Sequence, residues 1–487
     1  MSVVNRLPAL AAIVCLATPS LPRAGVATDS PGASAPALGT QDAAILLDVL
    51  RRAGDQGFGA DEFPVGEAAD QLRSNDPSIR RQGGRRLTAA AIAYAHAQRG
   101  GRVAPSRFLR DWAIRPAPYD AKADFEAALA GHQLATWARR LPPPDQRYDQ
   151  LVQVLARYEA IAAQSPWPVL AVKPGLKLGA TGPRVQALRQ RLALEEPSAA
   201  APASAAPGGD SGPAAYDAAL AAAVARAQAR YGLEPDGIAG AATLAALNVP
   251  VEERLGQIRA NLERWRWAPR ELPPYRVELN IADASLQLYD GGKPALAMRA
   301  IVGRASKPTP MFQDQIRAVV FNPPWNVPAD IAAKEIWPKI RRDPGYMARE
   351  GFVVRPGGGL QQLPGPNCAL GTIKFDLSNS FGVYLHDTPA RTLFARDSRT
   401  LSHGCMRVEK PNALAKRVLQ ANTDWPEAKI DLILISGNTV RAPLREPVPV
   451  YVFYWTVFVN QGGQVQFRSD VYHWDRKLLE TLRSSAH

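Results

Sequence analysis

From about Gln41 to Gln164 apolar residues recur at spacings of three and four, in segments such as AAILLDVLRRA, LTAAAIAYAHAQRGG and YDQLVQVLARYEAIAA. That period is the stripe of an amphipathic helix and predicts an N-terminal helical layer. Its Arg-rich connection SIRRQGGRR reads as a solvated face, and His96 and His132 as packing or surface residues. A second helical unit runs from KPGLKLGATGPRVQALRQRLAL to YGLEPDGIAGAATLAALN. Its first helix follows a turn flanked by Gly179 and Gly182, its second ends near Gly232, and its third starts at about Ala241, past a turn at Pro235 to Gly237. Between the first two lies EEPSAAAPASAAPGGDSGPAA, which has too little apolar surface to fold and reads as a loop.

After the helical EERLGQIRANLERWRWAPR the period changes to two. YRVELNI, SLQLYD, ALAMRAIVG and QIRAVVFNPPW alternate apolar and polar residues, with a hairpin turn at Asp290 to Lys293, and VYLHD, DLILISG and VYVFYWTVFVN continue the strand pattern. One helix fits KPNALAKRVLQAN. The fold class that follows is multidomain α+β: a helical layer, a small three-helix unit, and a mainly antiparallel β domain with a few helices.

Length and composition agree with several domains joined by linkers: 487 residues, 46% hydrophobic, 21% charged, with 43 Pro and 37 Gly. Arg6, the apolar run LPALAAIVCLA and the small residues that follow read as an export signal over residues 1–27, with an uncleaved anchor as the alternative. No later segment has about 18 uninterrupted apolar residues, so no integral membrane segment is expected after signal cleavage. The expected location is the periplasm. Without residues 1–27, which carry Arg6 and Arg23 and no acid, the net charge of +13 becomes about +11. That balance suits an acid-bearing partner, while no nucleic-acid-binding motif is present.

Only Cys368 and Cys405 then remain, and Cys405 sits in RTLSHGCMRVEKP, directly behind His403 and Gly404. A thiol with a pKa of about 8.5 needs an imidazole or a positive potential to become a nucleophile. In an extended segment the His403 ring would share a side with Cys405, at a Cα distance of roughly 6 to 7 Å. His386, in GVYLHDTP, ends a period-two strand that can pair beside the cysteine segment, which makes it the expected base. Its second ring nitrogen has two candidate partners, a carbonyl near Asp387 or the Asp387 side chain. Gly404 permits a tight turn, so the amides of Gly404 and Cys405 are expected to converge on an oxyanion. Arg407 suits a thiolate or a substrate carboxylate. A metal site of Cys405, His403 and His386 lacks the usual ligand spacings, and a Cys368–Cys405 disulfide depends on geometry; neither a metal nor a cofactor is expected.

SHGCMRVEKP with VYLHDTP upstream resembles the signature of the L,D-transpeptidases, the cysteine enzymes that cross-link peptidoglycan. NPPWNVPADIAAKEIWPKIRRDPGYMAREGF and YWTVFVNQGGQVQFRSDVYHWD resemble the large periplasmic branch of that family, LTAAAIAYAHAQRGGRV is similar to its helical scaffold, and the three-helix unit resembles a peptidoglycan-binding domain. The resemblance implies a scaffold domain over 28–172, completed by 251–268, a peptidoglycan-binding domain over 173–250 with an insertion at 195–214, and a catalytic domain over 269–487 with a lid at about 323–365. It implies Cys405 as nucleophile, His386 as base, the loop from Ser402 to Arg407 as oxyanion hole, and Tyr384 and Trp325 as aromatic positions lining the substrate cleft. Ser402 and Arg407 are expected to contact substrate, and His403 replaces a Ser found in some members.

The implied reaction joins a tetrapeptide donor stem to the diaminopimelate of an acceptor stem through a thioester, giving 3-3 crosslinks, with carbapenems acylating Cys405 and other cell-wall synthases as candidate partners. The alternatives are an L,D-carboxypeptidase, a D-amino-acid exchange enzyme, a lipoprotein-attaching enzyme and, in another class, a non-catalytic peptidoglycan-binding wall protein.

Overall fold

The computed structural model describes residues 38–108, 112–164, 167–196, 198, 214–420 and 425–485; the expected signal segment, with Cys15, and most of the low-complexity insertion lie outside them. The N-terminal layer is helical: α1 (Thr40–Arg51), α2 (Gly66–Leu72), α3 (Pro77–Gly100), α4 (Ala121–Ala130), α5 (Leu134–Arg140) and α6 (Gln146–Gln164). Asp76 caps α3 by accepting from the Ser78 amide at 2.7 Å, with Pro77 in the first turn where its missing N–H costs nothing. Gly83 sits inside α3 because α2 crosses there: a Cβ would meet Ala68 O at 2.9 Å and Gln71 Cβ at 2.8 Å. Leu46, Leu50, Leu87, Tyr94, Phe125 and Trp137 form the core of this layer.

The three-helix unit contains α7 (Pro183–Glu195), α8 (Ala218–Arg230) and α9 (Ala241–Leu247). Gly182 has φ 107° immediately before α7, a conformation that favours glycine. The unit is tied to α6 by a buried polar cluster. Glu195 pairs with Arg191 at 2.9 Å, accepts from the Tyr231 hydroxyl at 2.6 Å and from the Tyr158 hydroxyl of α6. Burial alone would raise Glu195, but Arg191 and Arg230 more than offset it and hold the carboxyl down at about 2.

Helix α10 (Val251–Trp267) is the central strut. From Ala260 to Trp267 every residue is buried, and the charged side chains of that stretch, Glu263, Arg264 and Arg266, are each paired. Glu263 receives the Arg102 backbone amide at 2.6 Å and the Arg266 guanidinium at 2.9 Å, and Arg264 pairs with Asp475 at 2.6 Å.

The β domain has a nine-stranded sheet made from β1 (Arg276–Asn280), β2 (Ser285–Asp290), β3 (Lys293–Gly303), β4 (Phe312–Phe321), and later strands β8 (Ile373–Asp376), β9 (Leu385–His386), β10 (Thr400–Ser402), β11 (Met406–Val408) and β12 (Val440–Phe453). Its order is β10-β3-β11-β9-β8-β4-β12-β1-β2, and β2 also pairs with β3, so eight strands close on themselves and β10 is added at one side. Most pairs are antiparallel; β1–β12, β3–β10 and β9–β11 are parallel. Between β4 and β8 an insertion carries β5 (Trp325–Asn326), β6 (Phe352–Val354) and β7 (Leu360–Gln362) as a small sheet in the order β5-β7-β6. It also carries α11 (Ala329–Ile331), a π turn (Ala332–Ile336), α12 (Trp337–Arg342) and α13 (Tyr346–Glu350). Val327, Ala332, Ile336, Phe352 and Leu360 give this insertion a core of its own.

After β11 come α14 (Pro411–Gln420) and α15 (Glu427–Ser436), and after β12 the hairpin β13 (Val457–Val459) and β14 (Val465–Phe467) and the helix α16 (Trp474–Ser485). Helix α15 corrects the expected strand at DLILISG. Pro426 opens it, Gly437 closes it with φ 70°, and Lys416 meets Glu427 and Asp431 at 3.0 Å each, two residues that are near neighbours in a helix but would lie about 13 Å apart in a strand. No helix among the described residues is long and apolar enough to cross a membrane.

Candidate active site

Parallel pairing of β9 with β11 sets Leu385 beside Met406 and His386 beside Arg407, and antiparallel pairing of β8 with β9 sets Lys374 beside His386. Side chains alternate along each strand. Leu385 and Met406 are fully buried in the barrel, while Lys374, His386 and Arg407 form a row on the opposite face. Tyr384 and Cys405, two residues earlier on their chains, extend that face. The sequence thus brings His386 and Cys405, 19 positions apart in the chain, together through strand register.

This face lines a cavity of 710 Å³. Tyr384, His386, His403, Cys405 and Arg407 contribute from the barrel side, and Trp325, Glu335 and Phe352 from the insertion, the segment expected as a lid. The Tyr384 and His386 rings meet edge to face at 5.5 Å, and the Lys374 ammonium lies 4.6 Å from the Tyr384 ring centre. Both cysteines are free; Cys368 is buried, its thiol 3.4 Å from the Pro323 carbonyl.

His386 Nδ1 lies 2.5 Å from the Asp387 carbonyl. A carbonyl only accepts, so Nδ1 carries the proton and Nε2 keeps its lone pair. The Asp387 carboxylate is engaged elsewhere, with the Thr372 amide at 2.9 Å and Arg391 at 2.7 Å, which decides between the two partners considered for the ring. Burial, and then the charge of Arg407, push His386 down to about 3, against the pull of the Asp387 and Leu370 carbonyls. The imidazole is therefore neutral near pH 7. Burial pushes the Cys405 thiol up, and hydrogen bonding from Tyr384 with the charges of Arg407 and Lys374 offsets only part of that rise. The resting pair is a thiol beside a neutral imidazole, with the thiol's side-chain hydrogen bond made to Tyr384.

The loop before Cys405 departs from the expected geometry in three ways. Gly404 has φ 115°, which breaks the extended alternation, and His403 turns to the lid, its Nε2 2.6 Å from Glu335 Oε1. The Gly404 amide donates to Ser402 Oγ at 3.1 Å, whereas the Cys405 amide has no hydrogen bond among the described residues. Ser402, expected to contact substrate, donates its hydroxyl to the Cys405 carbonyl at 2.6 Å and braces the loop. Arg407 has no acidic partner among the described residues, and its Nε is buried without a hydrogen bond. Sequence reasoning missed Thr309, Lys374 and Glu335. Thr309 is fully buried; its Oγ1 donates to the Gly404 carbonyl at 2.8 Å and accepts from the Gly303 amide at 2.9 Å, and its only signal was the TP pair in PTPMF.

Residues 274–450 match the family described as the L,D-transpeptidase catalytic domain. The chain carries an L,D-transpeptidase catalytic domain. Residues 35–155 match the family described as "Scaffold domain" and residues 181–247 the one described as "Putative peptidoglycan binding domain". A Haemophilus influenzae protein named "Putative L,D-transpeptidase" is 34% identical over 231 residues, which are 43% of this chain and 47% of that protein. The match thus spans about half the length of that curated relative. Among solved structures, an L,D-transpeptidase from Mycobacterium smegmatis is 14% identical over 37% of this chain and 58% of its own, with a TM-score of 0.21. One from Xylanimonas cellulosilytica is 18% identical over 60% of this chain and all of its own, with a TM-score of 0.20.

Proposed function

We propose that this protein is an exported peptidoglycan L,D-transpeptidase that forms 3-3 crosslinks through a Cys405 thioester. One observation carries the reading: His386, on β9, and Cys405, immediately before the β11 strand that pairs in register with it, both line a single lid-walled cavity. In the first half-reaction the Cys405 thiol gives its proton to neutral His386 as sulfur attacks the carbonyl after the L-centre of the donor's diaminopimelate. The C–S bond forms, the amide C–N bond breaks, and His386 returns the proton to the departing D-Ala amine. The free Cys405 amide is the donor for the developing oxyanion. Arg407, a cation without an acidic partner among the described residues, holds a donor carboxylate, and Tyr384 and Trp325 pack against the stem.

In the second half-reaction the side-chain amine of another stem's diaminopimelate resolves the thioester. The three-helix unit keeps the enzyme on peptidoglycan, and the periplasm is the compartment this substrate implies. Purified tetrapeptide dimers incubated with the protein and read by mass spectrometry test the proposal. Crosslinked species with free D-Ala support it, and tripeptide alone identifies an L,D-carboxypeptidase. An intact mass unchanged by carbapenem or donor, in a folded and unoxidised sample, identifies a wall-binding protein without catalysis.

A further inference from the structure

Among the described residues three contacts between basic and acidic side chains tie the lid to the barrel on one rim of the cavity: Lys307 with Asp330 at 2.9 Å, His403 with Glu335 at 2.6 Å, and Arg304 with Glu335. Glu335 sits in the π turn Ala332–Ile336, a widened helical turn of the kind concentrated at functional sites. Arg304 lies 3.8 Å from the same carboxylate oxygen. The carboxylate accepts, so His403 Nε2 carries the ring proton and Nδ1 is left with a lone pair. His403 and Glu335 both line the cavity that contains Cys405, and both are partly exposed.

The two half-reactions set different proton demands. Once D-Ala has left, His386 is neutral again, flanked by Lys374 and Arg407, whose charges oppose an imidazolium there and repel an arriving cation. An acceptor amine arrives at pH 7 largely as an ammonium and must lose a proton before it can attack. His403 meets that demand, because the Glu335 carboxylate 2.6 Å from Nε2 holds the ring with its Nδ1 lone pair available and attracts the ammonium.

We propose that His403 is the base for the acceptor amine and that the lid residue Glu335 is its positioning partner, so that the acceptor side of the site is complete only with the lid on the barrel. The inference rests on the acyl-enzyme reading above. In the step, the ammonium gives one proton to His403 Nδ1, and the freed lone pair attacks the thioester carbonyl. The C–N bond forms, and the C–S bond breaks with its electron pair going to sulfur. The second amine proton ends on the thiol, and His403 releases the first to solvent. Thioester plus ammonium thus gives amide, thiol and one proton. The charged groups around His403 are Glu335 and Arg304, the Lys307–Asp330 pair, and Arg407 across the cavity.

The test is the ratio of crosslinked dimer to hydrolysed tripeptide made by the full chain from a tetrapeptide donor, a ratio in which the acylation rate cancels. Glu335→Gln and His403→Asn are expected to lower it about 10²-fold at pH 7, the scale of general-base catalysis. The deficit should shrink as pH approaches 10, where solvent deprotonates the amine unaided. A ratio equal to the unmodified protein's at pH 7, or a deficit that stays constant with pH, overturns the inference. A protein that forms no thioester, or one resolved only by water, overturns the reading beneath it and the inference together.

Discussion

Arg407 stands opposite His386 in the parallel register of β9 and β11, and its one charge acts on both members of the reacting pair. It favours the Cys405 thiolate and disfavours the His386 imidazolium. In the reaction proposed above, the first effect assists attack and the second disfavours a resting ion pair, so the proton moves as the carbonyl is attacked. The lid insertion completes the arrangement by walling the cavity in which these groups meet.

The titration of the thiol follows. Because Cys405 lies above the ordinary thiol range, alkylation of the free protein by iodoacetamide is expected to be slow at pH 7 and to rise with pH through the alkaline range, as the thiolate appears. Arg407→Gln removes a charge that favours the thiolate, so its midpoint should move further up. A midpoint below about 7 in the unmodified protein would mean a preformed thiolate–imidazolium pair.

The bracing of the nucleophile loop gives a second expectation. Thr309→Val removes the hydrogen bonds to Gly303 and Gly404, and Ser402→Ala removes those to Gly404 and Cys405. Each leaves buried backbone groups unsatisfied at a cost of about 1–3 kcal/mol. If that cost falls on the aim of the Cys405 amide, kcat drops roughly tenfold for each 1.4 kcal/mol while KM for the donor changes little. Steady-state kinetics check this; an unchanged kcat with a lowered Tm would show the braces to be structural alone.

Much of this organisation was legible in the chain. The helical layer, the glycine-bounded turns around α7 and the β2–β3 hairpin all follow from local period and spacing. What was not legible depends on contacts between distant residues. DLILISG has the β-branched look of a strand, and its helical state depends on Pro426, Gly437 and the pairing of Lys416 with two acids. The direction of His403 depends on Gly404 adopting φ 115° and on a carboxylate 68 positions away. Ser402 reads as a substrate contact until its hydroxyl is seen to hold the loop.

The cluster linking the three-helix unit to α6 sets a stability test. Glu195 has a folded pKa of about 2 against a reference value of 4.5, so it binds fewer protons folded than unfolded. Its contribution is therefore fully present above 4.5 and is lost as pH falls toward about 2. Glu195→Gln leaves Arg191 buried without its partner and is expected to cost roughly 3–5 kcal/mol at neutral pH. Denaturant titrations at pH 7 and pH 3 should show the difference from the unmodified protein narrowing in acid; a gap that widens there would contradict the assignment.

The thiol–imidazole chemistry is tested most directly by single-turnover acylation with a tetrapeptide donor, followed by intact mass and D-Ala release. The account predicts one acyl adduct on Cys405 with stoichiometric D-Ala, no adduct in Cys405→Ala, and acylation slowed by about 10² to 10⁴ in His386→Ala. An adduct that survives Cys405→Ala, or a His386→Ala variant acylated as fast as the unmodified protein, would contradict it.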